Sequence, residues 1–182
     1  MKNVLMIMLL LSVTFSLQAQ KYFTKGGNIS FNASSPAEKI EGKSTTASSV
    51  IDATTGNMEF AVLVKSIIFD KALMQEHFNE NYMESTKFPK ASFKGKIDNL
   101  KDVNFSKDGS YKAKVSGNLT IHGVTKAITT NSDIKVSGGK INAASTFDVT
   151  LEDYKIEIPG LVKDKISKTA KVVVNVNLDK MN

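Results

Sequence analysis

The stretch Tyr111–Leu151, YKAKVSGNLTIHGVTKAITTNSDIKVSGGKINAASTFDVTL, decides the fold. Two dipeptides divide it, His122-Gly123 and Gly138-Gly139. Glycine supplies the positive φ that a two-residue hairpin turn demands. Three runs of alternating apolar and polar residues flank these turns, so the stretch reads as three antiparallel strands. Two-residue turns then fix the register. Tyr111 faces Ile134 and Leu119 faces Lys126 in the first hairpin; Ile134 faces Ala143 and Ile128 faces Val149 in the second.

This register sorts the side chains. One face receives Tyr111, Ala113, Val115, Gly117, Leu119 and Ile121, then Ile128, Thr130, Ser132, Ile134 and Val136, then Ile141, Ala143, Ser145, Phe147, Val149 and Leu151. The other face carries residues such as Lys112, Lys114, Asn131, Asp133, Lys135 and Asp148. A slip of one residue would mix the two faces. The inward wall is made of small residues, with Ala113, Ser132 and Ser145 forming one row. Protein interiors pack to a density of ~0.75, so bulk must come from elsewhere. Phe31, Phe60 and Phe93 of other strands could fill the space, or a ligand could. The wall alone leaves both readings open.

The same period of two recurs outward from this region. Ile29, Phe31 and Ala33 alternate with polar residues. So do Met58 to Val64, Ala91 to Ile97 and Val172 to Leu178. Many short alternating runs with turn signals between them indicate an all-β sandwich or barrel. One segment departs from the pattern. Its spacing predicts a short helix over residues 71–78, capped by Asp70, with Leu73, Met74, His77 and Phe78 on one face. That helix would lie across a barrel end or an open edge.

The chain has 182 residues, enough for one domain with a sizeable core. Its 24 basic residues are all lysine, against 18 acidic ones, for a net charge of +6. Lysine lacks the planar fork with which arginine reads base edges, so sequence-specific nucleic-acid binding is not expected. There is no cysteine. Disulfides, thiol catalysis and thiolate metal sites are therefore excluded. Residues 1–19 read as an export signal: Lys2, the apolar run Val4–Leu11 and a cleavage site after Ala19. This leaves 20–182 as a single mature domain outside the cytoplasm, periplasmic or secreted. The leader's apolar run is shorter than the ~20 residues of a spanning helix, and no later segment reads as one.

Catalytic signals are few. His77 and His122 are the only histidines. His122 sits in a tight turn, where a hydrogen-bonding role is expected. His77 lies on the helix, where it covers the barrel end or meets a ligand head group. Glu152 and Asp153 are neighbours along a strand, so they point apart and make a poor acid–base pair. No nucleophile elbow, phosphate loop or dinucleotide fingerprint appears. No catalytic residue, metal ligand or cofactor is assigned.

Gly117-Asn118-Leu119-Thr120-Ile121-His122-Gly123-Val124-Thr125-Lys126 resembles the signature hairpin of the YceI family. Leu73–Phe78, Tyr82 and Lys87–Phe93 resemble that family's helical insertion, turn and following strand. Phe147–Val149 through Tyr154–Ile156 resemble its penultimate strand and turn. The resemblance implies an eight-stranded antiparallel lipocalin-like barrel with a hydrophobic lumen. It also implies binding of a polyisoprenoid or other long-chain amphiphile, often in the periplasm and without catalysis. One motif departs. Many members carry Arg-Asp-x-His-Leu at the helix start; here Asp70 and Leu73 match, but Phe69 and Ala72 replace the Arg and the His.

On this reading the expected lumen residues are Phe31, Phe60, Val62, Phe93, Tyr111, Val115, Leu119, Ile128, Phe147 and Tyr154. His77 and Lys126 are the head-group candidates. The expected partner is a long-chain isoprenoid, quinone or related lipid, held for transport, storage or sequestration. Two rivals stay open: an interaction barrel with a filled core and no ligand, and an enzyme acting on an isoprenoid lipid. A homodimer is left open too.

Overall fold

The computed structural model describes residues 20–181. The proposed signal at residues 1–19 lies outside the described residues. Eight strands follow in order: β1 Lys21–Ser34, β2 Glu41–Asp52, β3 Asn57–Leu63, β4 Lys90–Ile97, β5 Gly109–Ile121, β6 Val124–Ser137, β7 Lys140–Thr150 and β8 Ile166–Lys180. Each pairs with its chain neighbour, and β8 pairs with β1, closing an antiparallel barrel. Closure gives every strand a partner on both sides over at least part of its length. The expected eight-stranded barrel is the fold observed.

The two turns behave as their sequences require. His122 and Gly123 have φ of 50° and 73°, and Gly138 and Gly139 have 56° and 76°. Positive φ at both central positions is the hairpin geometry that follows strand twist. The first hairpin keeps the expected register from Gly109↔Val136 to Ile121↔Val124. The second keeps it from Ser137↔Lys140 only as far as Ser132↔Ser145. The expected pairing of Ile128 with Val149 does not form: beyond that rung β6 and β7 part, while β7 stays paired with β8 to Thr150.

One end of the barrel is filled. Tyr22, Ile51, Ile97, Phe105, Ile134 and Leu178 form part of a buried core there, with the Tyr22 and Phe105 rings stacked at 6.3 Å. This floor lies at the end that carries the Gly138-Gly139 turn.

The opposite end carries the long connections, including α1 (Ala72–His77). Its start differs from expectation. The residue at the N-cap is Lys71, in extended conformation and with no side-chain cap. Asp70 lies one residue too early to cap it. The helical face also divides. Met74 and Phe78 are half-buried, whereas Leu73 and His77 are exposed.

Candidate functional site

Above the floor the barrel encloses a cavity of about 540 Å³. This lies within the range of about 300–1,000 Å³ that small-molecule sites occupy. Phe31, Phe60, Val62 and Phe93 line it from one half of the barrel. Val115, Leu119, Ile128 and Phe147 line it from the other. The small residues of the β5–β6–β7 wall are what leave this space.

Aromatic packing shapes the upper wall. Phe31, Phe69 and Phe78 form a three-ring cluster with centroids 4.9–5.6 Å apart. Offset and edge-on contacts of this kind are the favoured aromatic geometries. Gly42 makes room for it, since a Cβ there would meet the Phe31 ring at 2.6 Å. Phe69 therefore takes the position of the family's helix-start Arg and puts a buried ring there in place of a charge. Phe93 lies across Gly95 and Gly117, where any Cβ would meet its ring within 2.7 Å.

Two of the hydroxyls on the inner wall are tied to strand carbonyls. Ser132 donates to the Ala144 carbonyl oxygen and Ser49 to that of Glu59, each at 3.1 Å. Satisfied hydroxyls of this kind cost little to bury. Among the described residues the lumen lining is mostly aliphatic and aromatic, with scattered Ser and Thr hydroxyls and its charged groups at the mouth.

Charge appears only at the mouth. Glu38, Lys71, Leu73, His77, Val162 and Lys165 border the opening. Lys71 donates to Glu38 at 2.8 Å and so ties the β1–β2 connection to the start of α1. That hydrogen bond, with the charges of Lys71 and then Lys165, holds the Glu38 carboxyl below its ordinary 4.5.

Three expected site residues lie elsewhere. Tyr111 packs against the floor, and its hydroxyl donates to the Lys107 carbonyl oxygen at 2.8 Å. Tyr154 is buried in a cluster with Leu119, Val149 and Ile156, and burial pushes its phenol up. Lys126 is exposed and paired with Asp153, and it does not reach the cavity. His77 does stand at the rim, exposed. The cationic rim residues are thus Lys71 and Lys165, which no sequence signal singled out.

His122 plays the turn role expected of it. Its ring nitrogens face two acceptors, the Tyr154 carbonyl oxygen at 3.1 Å and the Glu84 carboxylate at 2.8 Å. The hydrogen bond to His122 lowers the Glu84 pKa below its ordinary 4.5, with Lys87 adding to it. Phe88 packs edge-on against the His122 ring. Among the described residues no three His, Cys, Asp or Glu side chains gather closely enough to hold a metal ion. No helix of the described residues is long and apolar enough to cross a membrane.

A family model for the YceI-like domain matches residues 16–178. The chain belongs to the YceI-like family. Among solved structures, this YceI-like barrel is similar to a polyisoprenoid binding domain from Saccharophagus degradans implicated in plant cell wall breakdown. That match has a TM-score of 0.78 and 16% identity and covers 90% of this chain and 100% of the other. Burkholderia cenocepacia BcnA matches with a TM-score of 0.69 and 13% identity, over 84% of this chain and 95% of its own. A Campylobacter jejuni YCEI protein matches with a TM-score of 0.51 and 16% identity, over 100% and 99%. At these identities the likeness carries the fold. No curated protein matches the chain.

Proposed function

We propose that this YceI-like chain is an exported lipid-binding protein that holds the tail of a polyisoprenoid or quinone-like amphiphile in its barrel. The observation that carries the reading is the cavity: about 540 Å³, lined by aliphatic and aromatic side chains, closed by a packed floor and charged only at its mouth. A chain lipid suits such a chamber. Each buried methylene contributes about 0.8 kcal/mol, so affinity grows with tail length and needs no set of polar contacts. The polar end then sits at the rim, near Lys71, Lys165 and His77. A neighbour of the same fold is a polyisoprenoid binding domain, which favours this class of ligand.

The mechanism on this reading is partition into a preformed chamber, without covalent chemistry. The leader read at residues 1–19 supports export, with the mature domain acting in the periplasm as a carrier, store or sequestering protein. Native mass spectrometry of the mature protein from its own cells, followed by solvent extraction, tests the proposal. A stoichiometric adduct that extracts as a chain lipid is expected. A bare mass, unchanged after incubation with polyprenols and quinones, would overturn it.

A further inference from the structure

Among the described residues, four large apolar side chains are exposed at the mouth end, Leu63, Ile68, Leu73 and Leu161, against Val173 midway along β8 and Met181 at the floor end. Leu63 ends β3 and Ile68 bridges to Lys43 near the start of β2, both at the mouth end. Leu73, 61% exposed, stands on the rim in α1. Leu161 is 98% exposed, at the tip of the short turn Gly160–Val162. Its neighbour Val162 lines the cavity, so this leucine also projects from the rim. At the floor end, Met181 is the large apolar residue found exposed. Nothing in the fold requires a fully exposed leucine beside an opening. Large apolar side chains exposed around one opening of a protein mark a partner or a membrane.

The charge beside Leu161 points to the second. Lys163, Lys165 and Lys168 follow it, with Asp164 the one acid of that stretch. Lysines can lay their stems along an apolar surface while their ammonium groups reach headgroup phosphates. Protruding apolar side chains flanked by lysine are what an anionic bilayer surface takes up.

We infer that the mouth end of the barrel docks on the surface of an anionic phospholipid bilayer. Leu161 and Leu73 enter the boundary between headgroups and acyl chains, and Lys163 and Lys165 meet the phosphates. Docked in this way, the cavity opens toward the membrane, and a chain lipid passes between bilayer and barrel without crossing water. That last consequence rests on the lipid-binding reading; the docking itself does not.

The chain contains no tryptophan. Leu161→Trp therefore gives a single reporter at an exposed site, and Met181→Trp gives the matching reporter at the floor end. The probe is a vesicle of phosphatidylcholine and phosphatidylglycerol, with and without brominated acyl chains. Emission from Leu161→Trp should shift to the blue and be quenched by the bromines, more weakly as salt is added. Emission from Met181→Trp should stay that of water. In flotation, Leu161→Ser should lower the vesicle-bound fraction about fivefold or more, because one leucine's apolar surface is lost from the contact. Unchanged emission at position 161, or equal shifts at both positions, would overturn the proposal. So would a shift without vesicles that grows with protein concentration, which would assign the patch to a second copy of the chain. A protein that docks but takes up no chain lipid would sink the binding reading and leave the docking standing.

Discussion

Lys126 and Asp153 form an ion pair across a seam in the barrel wall where the flanking strands have stopped pairing. Lys126 is on β6, and Asp153 is in the Glu152–Tyr154 turn that follows β7. Ser132↔Ser145 is the last rung between these strands. At the fork the Thr130 hydroxyl makes a long, 3.5 Å contact with the Thr146 carbonyl oxygen. Higher up, the His122 ring reaches the Tyr154 carbonyl. Side chains thus hold together a stretch of wall that the backbone leaves open.

The seam should be visible in amide hydrogen exchange. Backbone groups of 127–131 and 146–150 that point toward it have no ladder partner on that side. They should exchange much faster than the amides of 132–137 and 140–145, where every rung is present. Lys126→Ala should speed exchange at the seam further. The pair is exposed, so the cost in global stability should stay below about 1 kcal/mol in a urea titration. Equal protection on both sides of Ser132 would contradict this account of the wall.

Gly117 is fixed by the strand beside it. A Cβ there would lie 2.4 Å from the Gly95 Cα and 2.4 Å from the Lys94 carbonyl oxygen. Gly117→Ala should therefore cost about 1–3 kcal/mol, the usual effect of overpacking, read as a lower urea midpoint. The Phe93 ring is also close, at 2.7 Å. Trimming it with Phe93→Leu should not rescue Gly117→Ala, because the atoms in the way belong to the β4 backbone. Full rescue would show that the ring alone sets the constraint.

The wall was legible because its information is local. Alternation and the glycine turns fixed which residues of β5, β6 and β7 face inward, and the first hairpin follows that register throughout. The seam was not legible. Beyond Ser132 the two strands part. The 151–156 segment packs Tyr154 and Ile156 into a cluster with Leu119 and Val172, contacts between distant parts of the chain that no local pattern signals. Lys126 reads as a head-group candidate and Tyr154 as a lumen residue when only their places in the signature hairpin and the following turn are known. Their real partners, Asp153 and His122, come from across the seam. The rim is missed for the same reason. Lys71, Lys165 and Glu38 come from three separate connections, and no periodicity links them. Phe69 was visible as a departure from the family pattern, but its packing against Phe31 and Phe78 required the fold.

Acid should loosen the mouth before it unfolds the barrel. The Glu38 carboxyl has a lower pKa in the fold than its ordinary 4.5, mainly through the hydrogen bond from Lys71. A carboxyl with a depressed folded pKa stabilises the fold fully above its unfolded value and loses that contribution as pH falls through the folded one. The loss therefore belongs to the window below 4.5. Limited proteolysis or amide exchange should show residues 35–40 opening in that window. Glu38→Gln should show the same opening at neutral pH and a weaker acid response. Both effects should shrink in high salt, since the pair is solvent-screened. A wild-type loop indifferent to pH would show that the tie to α1 carries no weight.

Filling the chamber should separate binding from folding. Ser145 lines the cavity and is half-buried, opposite Ser132 on the last rung between β6 and β7. Ser132 is a poorer place for bulk, being almost fully buried with its hydroxyl bonded to the Ala144 carbonyl. A phenylalanine at 145 has room to extend into the lumen without displacing backbone. Ser145→Phe should reduce uptake of a fluorescent polyprenol at least about tenfold, a loss of ~1.4 kcal/mol or more, by excluding the methylenes that would lie there. The melting temperature should change by only a few degrees, because an apolar side chain entering an apolar chamber adds contacts instead of forcing strain. Large destabilisation with uptake lost would mean that the wall tolerates no added bulk. Unchanged uptake would place the lipid outside this part of the barrel and count against the chamber as its site.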